Sequence, residues 1–462
     1  MTRLSPLDAI FLDAEDADPH VSMAIGSVAV LAGPTPSQAE FVAALAPRMR
    51  AVRQSQQRVH RLPLGLGPPV WVDLGDFDAE YHFRRTALPA PGDDAALCAL
   101  VARVMGQRLD RDRPLWESWV IEGLSGGRWA VLTKLHHCLA DGISGAQLLG
   151  ALFAATPHPA GEPDWHAESQ PSTGTLLWDA VGDITSNTVH LLTRALRAPK
   201  ELAGQVADTV AGLGQMSTVL APATPSSLTG SIGRSRRYAV ARASLPDMRA
   251  VGAAFGTTVN DVALTAITLA YRDVLRHRGE RPDADTLRTA VPVSIRATDA
   301  LGNQISVLLP TLPVDIADPV MALREVHQRL TDLKHSKEAE AATTVAALSG
   351  HEPFALTTLA IQLVSRLPQR TVVTVTTNVP GPPTQLAMLG RPVLEVFPYV
   401  PIALRLRTGV AALSYRDQMT FGVTADFASN PDVTLFAAAI ERGIADLTAA
   451  ANIPVVATPR PT

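Results

Sequence analysis

Apolar positions along the chain follow two periods, alternation by two and stripes of three to four, and the two kinds of segment interleave from end to end. The stretch MAIGSVAVLAG alternates loosely and stops at Gly-Pro, the pattern of a buried strand, and a helix is predicted over Gln38–Arg53. Residues 60–69 are rich in Pro and Gly, and WVDLGDFDAEYHFRRTAL resumes extended character. Asp93–Leu109 carries Ala96, Leu97, Leu100, Val101, Val104 and Met105 on one helical stripe. LWESWVIEGL and WAVLTKLHH are extended runs on either side of Ser125-Gly126-Gly127-Arg128, the punctuation of a β-hairpin. ISGAQLLGALFAA then reads as a helix.

A break follows. Thr156–Ser172 holds Pro157, Pro159, Pro163 and Pro171, Leu176 to about Met216 is helical with an interruption at Pro199, and Val219–Gly233 is loop-like. Such composition marks a boundary, so the expected organisation is a first lobe at 1–160, a helical crossover at 161–235 and a second lobe at 236–462. In the second lobe RRYAVARASLP, LRTAVPVSIRA, NQISVLLPTLPV and TVVTVTTNVPGPP read as strands, and GVAALSYRDQMTFGVTADF as a hairpin. LPDMRAVGAAFG is a short helix. TTVNDVALTAITLAYRDVLRHRGE is a strong one, with Thr257 or Thr258 as its cap and Leu264, Ile267, Tyr271, Val274 and Leu275 on one side. Further helices are expected over Pro319–Ala347, over HEPFALTTLAIQLVSRLPQR and over Pro431–Ala450. The fold class is therefore α/β with mixed sheets.

Composition narrows the chemistry. The 462 residues exceed one ordinary core, which favours two lobes. Apolar residues make up 47% and charged ones 18%, with a mean hydropathy of +0.13, which suits an apolar ligand or a lipid surface. A net charge of −4 gives no basic field for a phosphate backbone, so nucleic acid is not an expected partner. Cys98 and Cys138 form neither a disulfide framework nor a CxxC pair, consistent with a reducing cytoplasm. The start of the chain carries Asp8, Asp13, Glu15, Asp16 and Asp18 where an export signal needs an unbroken apolar core, and no transmembrane segment is expected.

The chemistry-bearing stretch is LTKLHHCLADGISG, in which His136, His137, Asp141 and Gly142 form HHxxxDG at a strand-to-helix junction. Imidazole is the side chain best suited to proton transfer near neutral pH. If the strand runs to its last residue, Val131, Thr133, Leu135 and His137 share one face, and His136 shares the other with Leu132 and Lys134. The bland reading is two polar residues at a strand end with Asp141 as a helix cap. No cluster at ligand spacing supports a metal. Cys138 reads as a small buried hydrophobe rather than a nucleophile. Asn260-Asp261 in the first turn of a helix, and Thr377-Asn378 before Val-Pro-Gly-Pro, could bind an oxygen or simply cap and turn the chain.

Seven segments together, LSPLDAIFL at 4–12, PLWE at 114–117, HHCLADG at 136–142, TVNDVALTA at 258–266, PVSIRA at 292–297, Gly302-Asn303 and NVPGP at 378–382, resemble the bacterial wax ester synthase/diacylglycerol acyltransferase family. HHxxxDG alone is shared with peptide condensation domains and other chloramphenicol acetyltransferase-like proteins. The order and coverage of the remaining motifs favour the wax ester and triacylglycerol branch. The resemblance implies two chloramphenicol acetyltransferase-like lobes with a tunnel between them. It implies O-acyl transfer from acyl-CoA, with no resident cofactor or metal, to diacylglycerol or a long-chain alcohol, in the cytoplasm or peripheral to membrane or lipid inclusions. His137 is then the general base, His136 its support, and Asp141 a loop anchor whose expected ion-pair partner is Arg296, while Gly142 permits the tight exit into the helix. Pro114, Leu115, Trp116, Asn260, Asp261 and Asn378 line or brace the tunnel. The alternatives are a carrier-protein-dependent, amide-forming condensation enzyme and a non-catalytic lipid-binding paralogue.

Overall fold

The computed structural model describes residues 2–62, 68–75, 78–139, 152–153, 174–175, 178, 226–295, 304–335 and 372–452. The chain begins with a short strand β1 (Thr2–Arg3) and helix α1 (Pro6–Ala17). Ser5 caps α1, its Oγ accepting from Asp8 N–H at 3.1 Å, and Pro6 occupies the first turn, where a missing N–H costs nothing. Strand β2 (Ala24–Leu31) and helix α2 (Gln38–Arg50) follow. Next come β3 (Gln57–His60), β4 (Val70–Asp73), the single-turn helix α3 (Ala79–His82), β5 (Phe83–Ala87) and α4 (Asp94–Met105). The predicted hairpin is β6 (Trp116–Leu124) with β7 (Arg128–His136), turned by Gly126 and Gly127 at φ of 73° and 65°, values that favour glycine.

The second half supplies β8 (Arg236–Ser244), α5 (Leu245–Phe255), α6 (Val259–His277), β9 (Leu287–Ile295), β10 (Gln304–Leu308), β11 (Thr311–Leu312) and α7 (Pro319–His335). It ends with β12 (Thr374–Val379), β13 (Ala387–Met388), β14 (Arg391–Tyr399), the hairpin β15 (Thr408–Tyr415) and β16 (Gln418–Asp426), and α8 (Val433–Ala450). Thr258, not Thr257, caps α6, in a reciprocal capping box with Asp261. Most of the 161–235 crossover and the apolar helix expected within 351–370 lie outside the described residues. Among the described residues no single helix is long and apolar enough to cross a membrane.

Two large sheets organise the molecule. The C-terminal sheet runs β10-β9-β12-β15-β16-β8 with β11 on β9, and β12 lies parallel to both its neighbours. Its core is built from α5, α6 and α8 against the sheet, with Tyr271, Phe421, Phe436 and Ile440 buried. The N-terminal sheet runs β13-β14-β2-β7-β6-β5, so two of its strands come from the far half of the chain. Strand β14, which the hydrophobic pattern does not announce, pairs antiparallel with β2 and closes the gap between lobes.

The lobes meet backbone to backbone along β14. A Cβ at Gly422 on β16 would sit 1.8 Å from Pro398 O, so only glycine allows this approach. Tyr238 Oη donates to the same carbonyl at 2.7 Å, and Thr420 Oγ1 donates to Val396 O at 2.6 Å. Arg242 on β8 ties the lobes electrostatically. It pairs with the buried Glu395 on β14 at 2.7 Å and with Asp94 at the start of α4 at 2.8 Å.

Candidate active site

The HHxxxDG histidines stand where β7 runs out. Backbone pairing holds the strand in register with β2 and β6 up to His136, opposite Ala24. His136 N–H donates to Leu115 O at 2.9 Å, and His137 N–H donates to Met23 O at 2.9 Å. The chain then turns into one 3-10 turn, His137–Leu139. Strand alternation thus governs His136, which continues the buried face of Lys134, but stops short of His137. The two rings are separated by the turn instead of by the pleat.

Helix α1 meets both rings with one face. Phe11 and Glu15 are one helical turn apart and therefore neighbours on the helix surface. The Phe11 ring stacks on His137, centroids 3.6 Å apart and planes 21° apart. The Glu15 carboxylate, 1% exposed, places Oε2 3.3 Å from His136 Nε2. Glu15 Oε2 also accepts from Met23 N–H at 2.7 Å, and Oε1 accepts from Arg111 Nη2 at 2.8 Å. Arg108 donates to the backbone carbonyls of Glu15, Asp18 and Val21, pinning the end of α1.

The electrostatics follow from burial. Burial by itself raises the Glu15 carboxyl, but His136, Arg111 and the Met23 N–H together bring it down to about 2, so it is ionised. Desolvation lowers His136, against the pull of Glu15, and the neutral ring accepts Cys138 N–H on Nδ1 at 3.2 Å. Desolvation lowers His137 to about 4, opposed by its own backbone and reinforced by His136. His137 is therefore a neutral imidazole at physiological pH, and its buried Nδ1 has no hydrogen-bond partner among the described residues. Cys138 Sγ lies 3.0 Å from His136 Nδ1, yet burial pushes its thiol far up, which leaves no thiolate for attack.

The remaining motif residues fall into two groups. Pro114 and Leu115 are buried beside β7, and Leu115 provides the carbonyl that anchors His136. Trp116 is fully buried, stacks on His82 at 4.4 Å, and donates Nε1–H to Ser55 O at 2.9 Å, so it braces the N-terminal lobe from within. In the second lobe Asn378 Nδ2 donates to Asn260 Oδ1 at 3.2 Å, which joins the end of β12 to the first turn of α6. Asp261 is turned into its own helix, accepting Thr258 N–H at 2.8 Å, and faces His327 Nδ1 at 2.8 Å. Asp141, Gly142 and Arg296, and with them the expected ion pair, lie outside the described residues. Glu15, Phe11 and Arg111 are the residues that motif reading missed. The helix-start signature Ser5-Pro6-x-Asp8 was the available signal.

The same architecture occurs in solved structures. The wax ester synthase/diacylglycerol acyltransferase from Marinobacter aquaeolei VT8 superposes with a TM-score of 0.67 at 28% identity, over 98% of this chain and 100% of that one. The first condensation domain of the CDA synthetase shares the fold at a TM-score of 0.58 and 14% identity, over 97% of this chain and 96% of that one. The two chloramphenicol acetyltransferase-like lobes place the chain in a class of acyl-transferring enzymes. Residues 4–263 match the wax ester synthase/diacylglycerol acyltransferase catalytic domain, and residues 301–448 match the C-terminal domain of the same proteins. A Mycobacterium tuberculosis protein named probable diacylglycerol O-acyltransferase tgs1 is 45% identical over 97% of this chain and 95% of its own length. The chain belongs to the wax ester synthase/diacylglycerol acyltransferase family.

Proposed function

We propose that this chain moves a fatty acyl group from acyl-CoA to diacylglycerol or a long-chain alcohol, giving triacylglycerol or wax ester, with His137 as general base. The observation that carries the assignment is a half-buried, neutral imidazole whose buried Nδ1 has no hydrogen-bond partner among the described residues, its N–H held by the Met23 carbonyl and its ring covered on one face by Phe11. His137 removes the hydroxyl proton as the alcohol oxygen attacks the thioester carbonyl. The tetrahedral intermediate collapses with cleavage of the carbon–sulfur bond, and the imidazolium returns its proton to the departing thiolate. No covalent acyl-enzyme forms, in keeping with the unreactive Cys138.

The name of the 45% identical mycobacterial relative favours diacylglycerol as acceptor, and that of the Marinobacter protein keeps the long-chain alcohol in play. The apolar composition suits substrates drawn from a membrane or lipid inclusion on the cytoplasmic side. Purified protein is incubated with labelled palmitoyl-CoA and either hexadecanol or dipalmitoylglycerol, and neutral lipids are separated. Labelled ester with either acceptor supports the proposal. Binding without turnover would favour a lipid-binding paralogue, and turnover only with a carrier-bound thioester and an amine would favour amide condensation.

A further inference from the structure

We propose that one end of the C-terminal sheet docks the chain on an anionic lipid bilayer, with Leu404 and Phe427 entering the apolar layer and Arg234, Arg237 and Arg405 meeting the lipid phosphates. Three segments converge there because three strands end together. Thr408 at the start of β15 pairs with Ala425 on β16, and Ala425 and Asp426 pair with Arg237 and Arg236 at the start of β8. Beyond the ladder the segments stay joined, Gly230 N–H donating to Arg405 O at 3.0 Å and Phe427 N–H to Ser235 O at 3.1 Å. Residues 231–237, 404–407 and 427–431 hold five arginines and no acidic residue, in a chain whose net charge is −4. The acids next to them are engaged within the chain: Asp426 is buried and accepts from Gly233 N–H at 2.7 Å, and Asp432 pairs with Arg278 at 2.6 Å. Exposed apolar groups inside a positive field match the chemistry of an anionic lipid surface, whereas a purely polar partner would leave those groups in water.

The backbone holds both apolar groups outward. Leu406 N–H donates to Ala403 O at 2.9 Å, closing a turn whose corners are Leu404 and Arg405, at φ of 51° and 68°. Such corners suit glycine or asparagine, and this one instead presents a leucine, 43% exposed, beside a cation. Phe427 is 48% exposed, and Arg237 lies over its ring, the guanidinium 4.0 Å from the centroid and Nε donating to Phe427 O at 2.9 Å. Arg236 and Arg407 form an inner layer. They donate to the carbonyls of Gly233, Ser235 and His20, and of Ser227, and so fix the loops that carry the outer three arginines. The face adjoins the candidate site, since Ile402 and Ala403, immediately before Leu404, are buried with Met23 in the cluster on which Phe11 packs. It deepens the reading above, in which the lipid substrate is drawn from a membrane, and rests on that reading for its purpose.

The test is co-sedimentation of the full chain with vesicles of phosphatidylcholine alone and of equal parts phosphatidylcholine and phosphatidylglycerol, in low and in raised salt. Wild type is expected to partition about tenfold or more in favour of the anionic vesicles, the difference shrinking as salt screens the arginines. Arg234→Gln/Arg405→Gln should lower binding to anionic vesicles by about tenfold or more, at roughly fivefold for each charge lost. Leu404→Asn/Phe427→Ser should lower it by about tenfold with the charges kept, and asparagine suits the turn, so the fold is preserved. Exposed Arg249, on α5 beyond the opposite end of β8, supplies the control for charge alone, and Arg249→Gln should stay within about twofold of wild type. Equal binding to both kinds of vesicle, an equal loss in Arg249→Gln, or unchanged binding in either folded double variant would overturn the inference. So would binding only to a triacylglycerol emulsion coated with phosphatidylcholine. Ester formation separates the docking face from the transferase reading. With hexadecanol dispersed in detergent the double variants should turn over like wild type, and with hexadecanol held in anionic vesicles they should fall by about fivefold or more. Wild type that binds anionic vesicles through this face yet makes no ester refutes the transferase reading alone, and ester formation without vesicle binding refutes the docking face alone.

Discussion

Glu15 is the residue through which the site is most open to a decisive perturbation. Glu15→Gln preserves shape and removes charge. In the wild-type chain both carboxylate oxygens face donors, Oε1 toward Arg111 at 2.8 Å and Oε2 toward Met23 N–H at 2.7 Å, with His136 Nε2 3.3 Å from the same oxygen. A glutamine has one acceptor and one NH2 group, so one of these sides must set donor against donor. The group is 1% exposed, and no solvent is at hand to compensate. Truncating one partner of a buried charge pair costs about 3–5 kcal/mol, and an isostere that keeps one hydrogen bond should cost less, about 2–4 kcal/mol. The damage reaches the chemistry by a short path: Glu15 holds the Met23 peptide, and Met23 O holds His137 N–H at 2.9 Å. Thermal unfolding followed by dye binding should show a midpoint lowered by several degrees, and kcat for ester formation should fall more than tenfold in protein that is still folded. Wild-type values for both in Glu15→Gln would refute the reasoning.

Other outcomes follow from the same contacts. Buried His82 titrates near pH 4 in the folded chain, mainly through desolvation, against 6.5 when exposed, and His137 does likewise. The unfolded chain therefore binds more protons between these values, and stability falls as pH drops from 6.5 to 4, by about 3 kcal/mol for each ring. Melting midpoints across that range check it, with a flatter dependence expected for His82→Gln. Arg242→Met strands the buried Glu395 and should lower stability by about 3–5 kcal/mol, with partial recovery when Glu395→Leu is added, as chemical denaturation would reveal. Asn378→Ala loses the bond to Asn260, worth about 1 kcal/mol, and should reduce kcat/KM about fivefold with little change in melting midpoint.

Much of this molecule is legible in its residue pattern. The β6/β7 hairpin, the striped α4 and α6, and the β15/β16 hairpin fall where alternation and helical spacing predict them, because each buries a face in the ordinary way. Strand β14 escapes notice for a physical reason. Its buried face places Glu395 in line with Val393, Phe397 and Tyr399, and the charge is tolerated only because Arg242 arrives from another lobe. Helix α1 is hidden differently. Its acids look like a solvated face, and Glu15 points inward only because Arg111 and Met23, distant in sequence, are there to receive it. The histidines could be found by motif, and that they do not share one face could be anticipated. Its cause could not, since a turn that begins at His137 leaves no trace in strand periodicity.

Of the two histidines, we propose His137, and not His136, as the group that moves the proton. This assignment is tested most directly by labelled ester formation from palmitoyl-CoA with folded His137→Ala and His136→Ala proteins, assayed side by side against wild type. His137→Ala is expected to lose activity by at least a factor of about 100, the scale of general base catalysis, while His136→Ala keeps a measurable fraction with a lowered melting midpoint. Full transfer by His137→Ala would contradict it.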